Sequence, residues 1–318
     1  MKHIVKSGLL LFGAGVAATA SAGYFEFSSY GGSGSEYDVA SYGNTVYWGG
    51  PTSIYSIDVA VADLSKKEEP RFLADGVTLN PNYQTRIFTN PQSISLTGSP
   101  LSLQGLSTGE MYVNATTLFR PANNNSIMAF DKVTGAYDAS QTHFYASGLP
   151  GTGWGIGATF LSYGGGKWWS ANESRNTYSS TDGSNWVYEF TWNATPGGSH
   201  GDGLEYVNGF LFVSDMTSNY IEQWGQGDNP ATPGVETGWN EWTRFDYAEI
   251  FGSAKDVEGM GFGALGHFWA GSGSVIYELG GGTIQGQIDP TIPEPATLLL
   301  LAGGLLGMGA SRKFMKKT

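Results

Sequence analysis

Residues His200 to Trp224 constrain the fold of this chain more than any other stretch: His-Gly-Asp-Gly-Leu-Glu-Tyr-Val-Asn-Gly-Phe-Leu-Phe-Val-Ser-Asp-Met-Thr-Ser-Asn-Tyr-Ile-Glu-Gln-Trp. Leu204 to Val207, Phe210 to Ser214 and Tyr220 to Trp224 read as three short strands, joined through Asn208-Gly209 and through Met216 to Asn219. Asn-Gly between aromatic and branched runs is a hairpin signal, because both central residues of a type I′ turn need positive φ. A three-stranded meander cannot bury both of its faces alone. Something must cover it, and the chain offers further copies of the same unit.

Related hairpins occur at Val46-Tyr47-Trp48 with Ile54 to Ile57, and at Phe268-Trp269-Ala270 with Val275 to Leu279. Looser copies pair Ile87-Phe88 with Ile94 to Leu96, Leu118-Phe119 with Ile127 to Phe130, and Trp168 to Ser170 with Val187 to Phe190. Six units at an average step of about 45 residues match the period of a propeller blade. Before the hairpins, Asp202-Gly203-Leu204-Glu205-Tyr206 aligns with Glu258-Gly259-Met260-Gly261-Phe262, and the step from Asp202 to Tyr206 recurs from Asp38 to Tyr42. Gly-rich inner strands suit blades that crowd an axis. The predicted fold is therefore all-β, a six-bladed β-propeller, with Tyr24 to Phe27 as the outer strand that closes the last blade. A lectin-like β-sandwich is the alternative. Ser65 to Tyr83 and Gly225 to Trp242 read as loops. With Gly at 48 of 318 residues and charged residues at 14%, turn-rich β structure fits better than helix bundles.

The chain has no Cys, which excludes disulfides and thiolate sites. Residues 1–22 combine Lys2 and Lys6, an apolar run from Leu9 to Ala18 and the small-residue site Ala20-Ser21-Ala22, the pattern of a secretory signal peptide. The opposite end reads Ile292-Pro293-Glu294-Pro295, an apolar run over 296–310, then Ser311-Arg312-Lys313-Phe314-Met315-Lys316-Lys317-Thr318. The run is short for a spanning helix, but a basic cluster behind it holds a tail on the cytoplasmic side. Without the two ends, 10 basic residues face 27 acidic ones, a net charge of −17 against −12 for the whole chain. Nucleic acid is thereby excluded as a partner, since phosphate binding needs clustered Lys and Arg. The expected layout is a signal peptide (1–22), a propeller domain (23–279), a linker (280–292) and a sorting segment (293–318).

Pro293-Glu294-Pro295, the short apolar helix and the basic terminus, in that order, resemble the PEP-CTERM sorting signal of Gram-negative bacteria. The resemblance implies recognition by an exosortase, a transient anchor in the inner membrane, and delivery to the cell surface or an extracellular exopolysaccharide matrix. It covers the last 27 residues and says nothing about the domain delivered.

Asp38, Asp202 and Glu258 stand just before the inner strand of three units, so in a propeller they would converge near one mouth of the channel, with His200 nearby. Hard oxygen ligands of this kind suit Ca²⁺. The Asp202 to Asp215 stretch resembles gluconolactonase and regucalcin-like six-bladed propellers, which implies a metal site at blade starts, although the Asn expected before Gly-Leu is Asp202 here. In the simpler reading these acids cap turns and face solvent. Ser180-Thr181-Asp182-Gly183-Ser184-Asn185-Trp186 resembles the structural Asp-box turn of sialidase-like propellers. Gly105-Leu106-Ser107-Thr108-Gly109 matches a hydrolase elbow by letters, but a strand rather than a helix is expected to follow.

Trp154, Trp192, Trp239 and Trp242 fall in expected loops and are the candidate glycan-binding residues; Trp48, Trp169 and Trp269 fall in strands and are expected to pack between blades. Two functions stay open: an exported surface or matrix protein whose propeller binds polysaccharide or protein, and a metal-dependent, lactonase-like hydrolase. No catalytic set stands out.

Overall fold

The computed structural model describes residues 24–31, 39–50, 52–66, 69, 71–73, 77–100, 111–122, 125–147, 160–172, 174–192, 201–215, 220–227, 237–246 and 259–281. After the opening strand β1 (Tyr24–Gly31), the first sheet comprises β2 (Val39–Tyr42), β3 (Thr45–Gly49), β4 (Ser53–Val61) and β5 (Arg86–Ser95). The second holds β6 (Tyr112–Val113), β7 (Thr117–Ala122), β8 (Ser126–Asp131) and β9 (His143–Phe144), and the third β10 (Phe160–Gly164), β11 (Lys167–Ala171), β12 (Asn176–Ser180) and β13 (Val187–Thr191). The fourth is built from β14 (Gly201–Val207), β15 (Phe210–Asp215), β16 (Tyr220–Gln226) and β17 (Trp239–Asp246). The last has β18 (Gly259–Phe262), β19 (Phe268–Ser272) and β20 (Val275–Gly281), with β1 paired antiparallel to β20 as its outer strand.

The first strands of the sheets touch in the cyclic order β2, β6, β10, β14, β18 and back to β2, so the sheets are blades of a closed ring. Among the described residues the architecture is an all-β propeller of five blades, not six. The expected unit of Ile87-Phe88 with Ile94 to Leu96 does not exist. Ile87, Phe88 and Ile94 lie on the single strand β5, paired along β4 across a bulge between Ser56 and Asp58. At Thr89-Asn90-Pro91-Gln92 the outer strand kinks, Asn90 taking a positive φ of 52°, but does not end. An edge strand tolerates such a proline, since its missing N–H faces away from the ladder. A second correction concerns Trp168 to Ser170, whose partner on the outer side is β12, with Val187 to Phe190 one strand further out in the same blade.

Other expectations hold. Val46 to Trp48 pair with β4, Leu118-Phe119 with β8, and Phe268 to Ala270 with β20. Asn208 and Gly209 both adopt positive φ between β14 and β15. Gly225 to Trp242 is not wholly a loop, because β16 extends through Gln226 and β17 begins at Trp239. The stretch from Glu110 to Phe119 is broken by a turn at Asn114 to Thr117, where the Asn114 side chain accepts the N–H groups of Thr116 and Thr117.

Burial follows the ring. Five apolar clusters fill the five blade junctions: Ile94, Met111 and Phe130 between the first two blades; Phe119, Leu161 and Trp186 between the second and third; Trp169, Leu204 and Trp224 next; Phe212, Met260 and Phe268 next; and Val39, Trp48 and Trp269 where the last blade meets the first. Trp48, Trp169 and Trp269 are thus inter-blade packing residues, as expected. Each blade hides two faces only because it has two neighbours, which is why closure of the ring matters energetically.

Closure is fixed by a buried polar network. Glu278 on β20 is fully buried; Ser28 of β1 donates to its Oε2 at 2.5 Å, Arg86 of β5 approaches both oxygens through Nε at 2.9 Å, and His267 Nδ1 lies 2.7 Å from Oε1. The His267 ring stacks on Phe27 of β1 at 4.4 Å. Burial alone would raise the Glu278 carboxyl, but hydrogen bonds from His267 and Arg86, with their charges, outweigh it and hold the group below its ordinary range.

Candidate functional site

Each inner strand ends in a reversal into its neighbour, and that turn fixes a common register. Tyr42 pairs with Thr45, Gly164 with Lys167 and Val207 with Phe210, while Val113 pairs with Leu118 and Phe262 with Phe268. Counting back from the turns, Val39, Met111, Leu161, Leu204 and Met260 are equivalent, and each is no more than 1% exposed. Each enters a different one of the five inter-blade clusters. Side chains alternate across a strand, so the next tier, Ala40, Tyr112, Ser162, Glu205 and Gly261, lies on the opposite face and rings the axis.

That tier is uneven. Gly261 is required where the last blade meets the first, because a Cβ there would stand 2.7 Å from the Ala40 Cα. Tyr112 and Glu205 are the large members. Ser162 donates its hydroxyl to Glu205 Oε1 at 3.1 Å, and the N–H groups of Tyr206 and Phe262 also donate to the carboxyl. The Tyr206 N–H in addition donates to Ser162 Oγ at 3.0 Å. One carboxyl therefore joins three consecutive blades. Glu205 as a residue is half-buried, and its carboxyl is enclosed by protein. Desolvation pushes the Glu205 carboxyl up to about 8, the three hydrogen bonds opposing it without prevailing, so the group is mostly a neutral acid at pH 7.

Tyrosines stand at or near the turn ends of four inner strands: Tyr42 on β2, Tyr112 on β6, Tyr163 on β10 and Tyr206 on β14. Tyr112 is pushed up to about 12 by burial first and then by the Glu205 carboxyl, Tyr163 and Tyr42. Its ring lies 5.7 Å from that of Tyr163. Tyr206 stacks on Trp169 at 5.6 Å. Tyr42 and Tyr163 are 41% and 38% exposed, enough to present ring surface to a ligand. Lys132 Nζ sits 4.5 Å from the Tyr42 ring centre and donates to the Asn114 carbonyl at 3.1 Å; burial lowers its pKa. Glu205 belongs to the stretch that first suggested the fold, but the sequence analysis gave it no role. The signal that could have found it is the Ser at the same register in the preceding blade.

At the opposite end of the inner strands, Asp202 is buried and occupies the bulge between Gly201 and Gly203. Asp38 and Glu258 lie outside the described residues, as does His200; they directly precede β2, β18 and β14 in the chain. The likeness of Asp38–Tyr42 to Asp202–Tyr206 is offset by one residue, since Tyr42 pairs at the turn where Val207 does. Among the described residues no three His, Asp or Glu side chains form a group suited to a metal ion.

Trp154 lies outside the described residues. Trp192, directly after β13, is 1% exposed and fits against Gly201, which leaves it no open ring face. Trp239 and Trp242 are half-buried on β17 rather than in loops; Trp239 stacks on Phe190 at 5.0 Å and Trp242 meets Phe210 edge-on at 4.8 Å. The Asp-box turn is structural as expected: Asp182 Oδ1 accepts the N–H groups of Ser184 and Asn185, both at 2.8 Å, and Trp186 is buried. Pro293, Glu294, Pro295, the expected helix over 296–310 and Gly105 to Gly109 lie outside the described residues. No helix among the described residues is long and apolar enough to cross a membrane.

No curated protein matches the sequence. Among solved structures, a streptogramin B lyase is similar at 12% identity and a TM-score of 0.39, covering 78% of this chain; this chain spans 65% of the lyase. A glutaminyl cyclase from Myxococcus xanthus is similar at 10% identity and a TM-score of 0.45, with 83% of this chain and 98% of the cyclase covered. Residues 291–313 match the family model of the PEP-CTERM protein-sorting motif. The chain thus joins a propeller body to a PEP-CTERM sorting motif, the mark of an exported protein that is transiently anchored in the membrane and processed by an exosortase.

Proposed function

We propose that this is a surface or matrix protein of a Gram-negative cell, whose propeller binds polysaccharide or another protein after the exosortase has released it. The sorting motif at 291–313 carries this reading. In the proposed layout, a signal peptide over 1–22 is removed, the propeller spans 23–279, the linker 280–292 leads to Pro293-Glu294-Pro295, and the helix over 296–310 anchors the chain until it is cut. A net charge of −17 outside the two ends favours uncharged or basic partners over nucleic acid. Substituting Pro293 and Pro295 by Ala in the producing cell is expected to hold the protein in the membrane fraction, with wild type found outside; equal release of both would reject the sorting step. Trp239 and Trp242 stay as candidate glycan contacts, tested by their Ala variants on a glycan array.

A second reading, a Ca²⁺-dependent lactonase-like hydrolase, is favoured by one observation: the strand that holds Asp202 and the strands that follow Asp38 and Glu258 belong to three neighbouring blades. There a bound ion would polarise a carbonyl or activate water. Calorimetry with Ca²⁺ tests it: heat that disappears in Asp202→Ala supports the hydrolase, and no heat in wild type removes it.

A further inference from the structure

We propose that the arm formed by residues 62–84, between β4 and β5, is a lipid-contact surface that lays its apolar face on the bilayer while the sorting segment holds the protein there. This rests on the anchored precursor of the reading above and gives the propeller an orientation on the membrane. The arm contains a short antiparallel ribbon: Phe72 pairs with Leu79, the Leu73 N–H donates to the Thr78 carbonyl at 2.8 Å, and the Asn80 N–H donates to the Arg71 carbonyl at 2.9 Å. In that pattern Phe72 and Leu79 form a non-hydrogen-bonded pair, whose side chains stand together on one face. Val77, two residues before Leu79, falls on the same face by alternation. Phe72, Val77 and Leu79 are 37%, 77% and 62% exposed, and Leu64 and Leu73 of the same arm are 84% and 44% exposed. Five of the twelve large apolar side chains exposed among the described residues thus belong to this one arm, a concentration rather than the usual scatter.

The place where the chain leaves the propeller identifies the occupant. The arm is fastened at its base: the Ala62 N–H donates to the Thr85 carbonyl at 2.8 Å, Gln84 Nε2 to the Lys66 carbonyl at 2.6 Å, and Lys66 Nζ to the Pro81 carbonyl. Arg86 Nη1 donates in turn to the Gln84 carbonyl at 2.9 Å, while its Nε holds Glu278 on β20. Three residues beyond Glu278, about 10 Å along the strand, β20 ends at Gly281, which pairs with Tyr24 at the start of β1. From Gly281 to Pro293 the twelve-residue step spans at most ~40 Å, so the anchor keeps this side of the last blade, and the arm rooted beside it, within reach of the bilayer. Charge also favours the arm as the part that touches. By sequence it holds Lys66, Lys67 and Arg71 against Asp63, Glu68, Glu69 and Asp75, and is near neutral on a body of −17 that anionic lipid repels. The Arg71 guanidinium lies 5.2 Å from the Phe72 ring centre, at the edge of the apolar face, where lipid phosphates would stand. The attraction is therefore apolar in origin.

The chain has no Cys, so one added thiol carries one probe. Full-length protein with Val77→Cys, labelled with a polarity-sensitive fluorophore, is reconstituted into vesicles of equal parts phosphatidylethanolamine and phosphatidylglycerol that contain a spin-labelled lipid as quencher. Val133→Cys, 79% exposed after β8 in the second blade, is the reference. Quenching at residue 77 is expected to exceed that at residue 133 roughly twofold or more, since an interfacial apolar face sits about 5–10 Å into the headgroup boundary. High salt is expected to leave it unchanged. Leu79→Asp in the same labelled chain is expected to bring quenching down to the reference, with melting temperature unchanged because Leu79 is exposed. Equal quenching at both residues, its loss in high salt, or its survival in Leu79→Asp overturns the apolar lipid contact and leaves the anchored precursor standing. A probe shielded without vesicles, increasingly so as protein concentration rises, assigns the face to a second copy of the chain and overturns the lipid assignment. Full-length protein that does not float with the vesicles rejects the anchor, and this contact with it.

Discussion

Glu205 and Glu278 are two glutamates withdrawn from bulk water at blade junctions, and their surroundings drive them in opposite directions. Glu278 is the more deeply buried, yet it sits below its ordinary range because Arg86, His267 and Ser28 converge on its two oxygens. Glu205 retains some accessible surface, yet it rises to about 8 because three neutral donors and no cation compensate its desolvation. Depth of burial does not set the charge of a carboxyl; the charge and number of its partners do. The first arrangement locks the ring through charge, and the second joins three blades through a neutral acid.

The largest effect that would break this contrast lies at the lock. Glu278→Ala leaves the Arg86 guanidinium buried without its counter-charge, and a loss of about 3–5 kcal/mol in urea unfolding is expected. A loss under about 1 kcal/mol would mean that the closing strand is held by packing alone.

The pH dependence of stability separates the two carboxyls by window. The native state holds the Glu205 proton more tightly than the unfolded chain does, so between about 4.5 and about 8 it binds more protons and stability falls as pH rises. The ceiling on that slope is about 1.4 kcal/mol per pH unit. Glu278 works the other way: its contribution is present above the ordinary carboxylate range and is lost as pH falls through its lower native value. Glu205→Gln is expected to flatten the decline above pH 5 and to leave acid unfolding unchanged.

The serines sharpen the comparison further. Ser28 donates to an ionised carboxylate, and Ser28→Ala is expected to cost about 1.5–3 kcal/mol. Ser162 donates to a mostly neutral one, and Ser162→Ala is expected to cost about 0.5–1.5 kcal/mol. Equal losses in thermal melts would indicate equal charge at the two sites.

Much of the ring was legible in the residues. The Asn208-Gly209 turn, the aromatic hairpins, the packing role of Trp269 and the N-terminal strand that completes the last blade all follow from alternation and turn chemistry. The blade count did not, because Asn90-Pro91 has the letters of a turn and the geometry of a kink. Local signals cannot tell these apart when the partner strand β4 is long enough to run past both halves. The tryptophans expected in loops also misled, since Trp239 and Trp242 lie on β17, directly after a Gly- and Pro-rich stretch of sequence. Neither buried carboxyl was visible in advance. Each draws its character from residues far away in the chain, Ser162 and Phe262 for Glu205, Arg86 and Ser28 for Glu278, and only closure of the ring brings them together.

The most direct measurement is the carboxyl ¹³C titration of Glu205 in glutamate-labelled protein, assigned by its absence from Glu205→Gln. An apparent pKa near 8 is the expected result. Titration near 4.5 together with the surface glutamates would show an ionised carboxylate and remove the contrast between Glu205 and Glu278.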